Sequence, residues 1–292
     1  MRAQTVHLNQ QMPAPHTIRF SRMQKVAAIL FMAAFFHIAS ATDLKPKTNE
    51  AFDRYVAATE SRFAGELHPG GPFLYIDRLS AEEKRQSYQS LQHGEVWIRN
   101  VESKSASIAP GGMVHHWIGI IFIPGATLGK TLPIVKDYGH RDQYYKPDVI
   151  ASKLLTHQGD NYTMFLRLRQ KKFTTAIFNT NYAIHWGEVD STHVYSHSVS
   201  TRIAEVKDTS KPEGDELPVG TGNGYVWRLN SYWRFQESDG GVYVQCEAVS
   251  LSRDIPTGFG WLLESMVNGL PKDSLMHVLT RTREIVQAAP NK

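Results

Sequence analysis

Residues 225–252 read YVWRLNSYWRFQESDGGVYVQCEAVSLS, and this stretch decides the fold. Two apolar-rich runs flank Ser238-Asp239-Gly240-Gly241, a two-residue Asp-Gly hairpin signal. That turn pairs Trp233 with Cys246, Phe235 with Val244, Ser231 with Ala248 and Leu229 with Ser250. One face then carries Trp227, Leu229, Ser231, Trp233 and Phe235. The other carries Arg228, Asn230, Tyr232, Arg234, Gln245 and Glu247. A slip by one residue would exchange the faces, so the pattern sets the register. The Trp233/Cys246 face is expected inside and the Arg234/Glu247 face in water. Arg234 and Glu247 are expected there as an exposed ion pair contributing under ~1 kcal/mol.

Upstream lie further strands at 149–157, 161–171, 173–186 and 192–205, each bounded by turn residues. A polar Pro/Gly loop, 207–224, separates them from the hairpin. His115–Ile123 is apolar on both faces, as a central strand would be, and Pro124-Gly125 end it. Thr127–Tyr138 reads as helix, split in two by Pro133. At the end of the chain, Leu275, Val278, Leu279, Thr282, Ile285 and Val286 lie on one face of a helix over Pro271–Ala288. Ahead of the strands, Phe52, Tyr55, Val56, Thr59 and Phe63 recur at helical spacing, with Thr48 as the expected cap. Ser80-Ala81-Glu82-Glu83 is a capping box that opens a second helix to about Gln92. Residues 42–93 are therefore expected to form a helical extension.

The order is one strand, two short helices, six antiparallel strands and a long helix. A curved antiparallel meander needs one face covered, and the last helix is the apolar element long enough to cover it. The fold class is α+β: about seven strands wrapped around the C-terminal helix. With HHWIGIIFIPGATLGKTLPIVKDYGHRDQYYKPDV (115–149) and SLSRDIPTGFGWLLESMVNGLPKDSLMHVLTRTREIV (250–286), the chain resembles the START-like and polyketide-cyclase-like helix-grip superfamily over about 94–289. It also resembles an exported bacterial group of that superfamily without assigned activity. The resemblance implies a cavity between sheet and long helix for lipids, sterols, quinones or polyketides, with cyclases and dehydratases as a minority. It supplies no shared catalytic motif.

Residues 19–41, RFSRMQKVAAILFMAAFFHIASA, combine Arg19, Arg22 and Lys25, an apolar run and Ala39-Ser40-Ala41. That is a signal-peptide pattern over 1–41, too short for a span of roughly 20 apolar residues. The expected mature N-terminus is Thr42, and the expected location is the periplasm or the exterior. Met23 is an alternative start. These three cations and Arg2 account for the net charge of +4: removing the four from 32 basic residues leaves 28, equal to the 28 acidic ones. A neutral body gives no argument for nucleic acid. Cys246 is the only cysteine, so no internal disulfide is possible.

Other motifs have plainer accounts. Gly125–Thr131 follows a strand and opens a helix, but a phosphate loop needs glycine where Pro124 stands. His115 and His116 point to opposite faces of one strand. His193 and His197 share a face but lie about 13 Å apart, too far to share a metal about 2 Å from each. His185 can approach across a hairpin without completing a ligand set. Gly220–Gly224 is loop, Asn161-Tyr162-Thr163 is a chance sequon, and Cys246 is a small core residue. No metal and no cofactor are expected.

The aromatic set is more informative. Trp186, Trp227, Leu229, Trp233, Phe235 and Cys246, opposed by Leu275 and Leu279, are expected to line an apolar cavity. Tyr195, Ser231 and Ser250 are candidates for its polar groups, and Leu262 and Met266 for a lid. The expected ligand is a hydrophobic small molecule or lipid, bound without chemistry. An enzyme of the same fold would need a polar acid/base pair inside the cavity, and a module with a filled core would bind nothing there.

Overall fold

Alternating apolar residues make the long strands, and hairpin turns bring them together in chain order. The structure is a computed structural model that describes residues 43–101, 110–171, 175–254 and 260–290; for 260–268 it describes the backbone alone. The leader lies outside the described residues. Eight strands form one antiparallel sheet: β1 (Trp97–Asn100), β2 (Gly112–Pro124), β3 (Val149–Gln158), β4 (Asn161–Lys171), β5 (Thr175–Asp190), β6 (His193–Glu205), β7 (Arg228–Ser238) and β8 (Gly241–Arg253). Their order is β1-β2-β8-β7-β6-β5-β4-β3, so β3 to β8 are a continuous meander and β2 closes on its last strand. The four-residue β1 was not legible as a separate strand. β2 sits next to the edge rather than centrally.

The β7–β8 register is the expected one. Trp233 pairs with Cys246, Phe235 with Val244, Ser231 with Ala248 and Leu229 with Ser250. Asp239 and Gly240 both take positive φ, 54° and 72°, as that turn requires.

Among the described residues the α-helices are α1 (Pro46–Glu66), α2 (Ala81–Gln92), α3 (Leu128–Val135), α4 (Arg141–Tyr144) and α5 (Gly260–Ala288). In α1, Pro46 occupies the first turn after Lys45, and Thr48 bonds the carbonyl of Pro110 instead of capping. Ser80 and Glu83 form the expected reciprocal cap of α2. Pro133 lies inside α3 without splitting it. The i−4 acceptor it leaves belongs to exposed Gly129, where water can replace the lost bond. α5 starts 11 residues before the expected Pro271 and carries that proline within it.

α5 packs on the inner face of the sheet. Gly119 of β2 makes room for it, since a Cβ there would collide with Leu279 and crowd Leu275. The outer face is not in water. Phe52, Val56 and Phe63 of α1 pack on Val114, Trp227, Tyr232, Val249 and Leu251. Phe73, Leu74, Ile76 and Leu91 pack on Ile118, Ile120, Phe122 and Tyr243. The helical extension thus covers the convex side of the hairpin.

This overturns the expected wet face. Asn230, Tyr232, Arg234, Gln245 and Glu247 are each at most 1% exposed. Arg234 pairs not with Glu247 but with Glu66 of α1, at 2.6 Å. Glu247 binds Arg62 of α1 and, at 2.6 Å, Nε2 of His116. Glu66 also holds Arg78 at 2.6 Å. The pattern misled because polar residues alternating on a strand ordinarily face solvent. Here α1 brings opposite charges and Phe63 over them, and Phe63 lies 4.6 Å under the Arg234 guanidinium.

Candidate functional site

Between the concave inner face and α5 lies a cavity of about 490 Å³. That is within the roughly 300–1,000 Å³ of small-molecule sites. Its walls come from alternate residues of β2 and β4 to β8, from α5, and from the α3–α4 segment. The deep end is aromatic. Trp186 stacks on Phe235 at 5.5 Å, Phe235 on Trp233 at 6.1 Å, and the Trp186 indole donates to Tyr138 Oη at 2.8 Å. Charged residues gather where the strands end: Asp148 just before β3, Arg169 near the end of β4, Arg253 at the end of β8 and Asp254 after it.

Polar groups line the floor. His115 is 3% exposed, and its Nε2 lies 2.9 Å from Ser252 Oγ. Burial pushes its pKa down to about 4, so it is neutral at physiological pH. Among the described residues its Nδ1 has no hydrogen-bond partner. Tyr182 is buried and its phenol is pushed up to about 12 by that burial. Arg141 sits against the rings of Tyr138 and Tyr145, 5.0 and 5.1 Å from their centres. Tyr145 Oη is 3.0 Å from Thr282 Oγ1 on α5. Burial raises the Cys246 thiol well above its ordinary range, which keeps it protonated and unreactive.

No family model matches this chain, and no curated protein matches it. Solved structures resemble it in architecture. A STAR-related lipid transfer protein fragment from Xanthomonas axonopodis is 17% identical, with a TM-score of 0.42 over 65% of this chain and 98% of that one. The Zhui aromatase/cyclase from Streptomyces sp. R1128 is 8% identical, with a TM-score of 0.40 over 60% and 94%. Human STARD10 is 10% identical, with a TM-score of 0.39 over 70% and 80%. The strand order and the embrace of α5 decide the architecture. The fold is the START-like helix-grip fold.

Seven of the twelve residues expected in the helix-grip cavity line it: Trp186, Leu229, Ser231, Trp233, Phe235, Cys246 and Leu275, and Ser250 joins them. Three do not. Tyr195 is on the outer face, ring to ring with Phe63 at 5.9 Å, because it alternates with inward Ser196. Trp227 precedes β7 and packs with Phe52 under α1. Leu279 is fully buried in the contact between α5 and Gly119. The side chains of Leu262 and Met266 lie outside the described residues.

The reading missed His115, Tyr182, Ser196 and Ser198. The signal was present in HVYSHSVS (193–200), whose alternation puts Ser196 and Ser198 on the face of Val194. His115 likewise shares the face of Gly119 and Ile121. Gly125–Thr131 is a strand-to-helix turn. A Glu237 carboxylate accepts from the Leu128 amide at 2.7 Å, where a phosphate would sit. His185 and His197 do pair across β5 and β6, but no group of three metal-ligating residues occurs among the described residues.

Proposed function

We propose that this protein binds an apolar small molecule or lipid noncovalently in the cavity between sheet and α5, and that it does so outside the cytoplasm. The observation that carries the binding reading is the cavity itself. A void of about 490 Å³ walled by Trp186, Trp233 and Phe235 leaves apolar surface unfilled that a close-packed core would cover. An apolar ligand would recover roughly 25 cal/mol for each Å² it covers. The lipid-transfer and aromatase/cyclase proteins of similar architecture agree with a cavity that holds such molecules. The signal-peptide pattern supports export, and no helix among the described residues is long and apolar enough to cross a membrane.

Native mass spectrometry of protein purified from its own host tests the binding. A discrete mass adduct that organic solvent extracts is the expected result. Protein that is always ligand-free, and whose tryptophan emission no apolar probe changes, would overturn the reading. Intact-mass measurement on the exported protein should show residues 1–41 missing, whereas full-length protein in the membrane fraction would contradict export.

One observation favours a second reading, an enzyme of the cyclase or dehydratase type. His115 and Ser252 are a hydrogen-bonded polar pair inside the cavity. Against it, a histidine held near pKa 4 is a weak base at neutral pH. Turnover of a bound ligand that stops in His115→Phe would favour the enzyme.

A further inference from the structure

The inner faces of β6, β7 and β8 carry serines of two kinds. Some have structural partners. Ser200 Oγ accepts from the Leu229 amide at 2.9 Å, and Ser252 Oγ meets His115 and the Arg253 carbonyl. Thr180 Oγ1 similarly donates to the Leu166 carbonyl at 2.9 Å. Ser196, Ser198, Ser231 and Ser250 differ. All four line the cavity, and among the described residues none supplies a hydrogen bond to their hydroxyls. Ser196 and Ser198 are only 3% and 7% exposed, and both line the cavity.

Strand register places these hydroxyls in a track. Ser198 is directly opposite Ser231 across β6 and β7. Ser231 is opposite Ala248, which makes Ser250 its diagonal neighbour on β8. Ser250 is opposite His115 on β2. Direct partners in such a sheet are about 5 Å apart and diagonal ones about 7–8 Å. The track therefore crosses the cavity floor obliquely, from β6 to β2, with hydrogen-bonding groups at steps of roughly 5–8 Å.

Plain packing does not account for the track. A hydroxyl that opens onto an apolar cavity adds nothing to packing that alanine would not, and it costs free energy once a ligand covers it without a partner. The track also contains no cation. The lining arginines lie off it: Arg141 is on α4, bonded to the Val135 carbonyl, and Arg169 and Arg253 stand near the ends of β4 and β8, while His115 is neutral. A carboxylate on the track itself would lose hydration without gaining a counter-charge there.

We infer that Ser196, Ser198, Ser231, Ser250 and His115 form a recognition track for an uncharged ligand with hydroxyl or carbonyl oxygens along one edge of an apolar body. This deepens the proposed binding function and rests on it. A plain hydrocarbon or acyl chain would bury the track unsatisfied, so the site discriminates by what each ligand leaves unpaired.

Three probes of one shape test it at pH 7.5: phenanthrene, 9-phenanthrol and phenanthrene-9-carboxylate. The intact mature protein is compared with the Ser198→Ala/Ser231→Ala/Ser250→Ala variant. Wild type is expected to bind 9-phenanthrol about tenfold tighter than phenanthrene, the scale of one buried neutral hydrogen bond. The carboxylate should bind weakest. In the variant the phenanthrol preference should vanish while phenanthrene binds as well or better. Its melting temperature should hold, because the hydroxyls removed have no hydrogen-bond partners among the described residues. An unchanged preference in the variant, or a carboxylate bound as tightly as the phenol, would overturn the track and leave the binding function standing. Failure of all three probes to bind folded wild type would overturn both.

Discussion

The two faces of the β7–β8 hairpin are both covered, yet they are covered in opposite ways. Inward, Leu229, Ser231, Trp233 and Ser250 border open space beneath α5. Outward, Arg234, Gln245 and Glu247 are sealed under α1, with every charge matched by one from the extension. The loosely filled face can accept a ligand. The densely paired face ties the sheet to the extension. On the proposed function, stability and binding are divided between two sides of the same strands, a division that substitutions on each side can break.

The largest effect is expected on the outer face. Burial alone would raise the Glu247 pKa, but the His116 hydrogen bond and the charges of His116, Arg62 and Arg234 outweigh it and hold the carboxylate low. Glu247→Ala removes the carboxylate that Arg62 and the His116 ring share in a site sealed under α1. Urea denaturation should show a loss of about 3–5 kcal/mol. Affinity of the folded fraction for an apolar probe should not change. A loss below ~1 kcal/mol would mean that this face behaves as a solvated surface.

That outer face is also where the sequence was hardest to read. The hairpin register, the meander and the gripping helix follow from local signals: an Asp-Gly turn, period-two alternation, and apolar residues at helical spacing. What covers the polar face of β7 and β8 is a docking event between segments about 170 residues apart, and no local pattern encodes it. One clue existed. The matching face of β2 is Val114, His116, Ile118, Ile120 and Phe122, too apolar for a strand in water. The same extension explains why Tyr195 and Trp227, read as cavity residues, belong to the other side. The serine track was legible as alternation, but not which hydroxyls the backbone would engage.

A smaller effect is expected on the inner face, from pH. The His115 pKa falls from an ordinary 6.5 to about 4 in the folded state. Below pH 6.5 the unfolded chain takes up a proton that the native site refuses, so stability present above 6.5 is lost as pH falls toward 4. Wild type should lose about 3 kcal/mol more than His115→Leu across that window. Identical pH profiles would place His115 in a solvated setting.

Smaller again is the cost of Trp233→Ala. A tightly packed tryptophan would cost about 3–5 kcal/mol. Trp233 borders the cavity and is only partly buried, so it forfeits fewer contacts, and a loss under ~2 kcal/mol is expected in chemical denaturation. Probe affinity should fall at least tenfold. A large stability loss with unchanged affinity would make this side an ordinary core.

The most direct test of the division is a tryptophan-emission titration of the folded protein with 9-bromophenanthrene, an uncharged apolar quencher. Saturable one-to-one quenching is expected in wild type, through Trp233 and Trp186. The same affinity is expected in any outer-face variant that remains folded, and a large loss in Trp233→Ala. Emission that stays unquenched up to the solubility limit, in protein shown to be folded, would contradict a ligand cavity on the inner face.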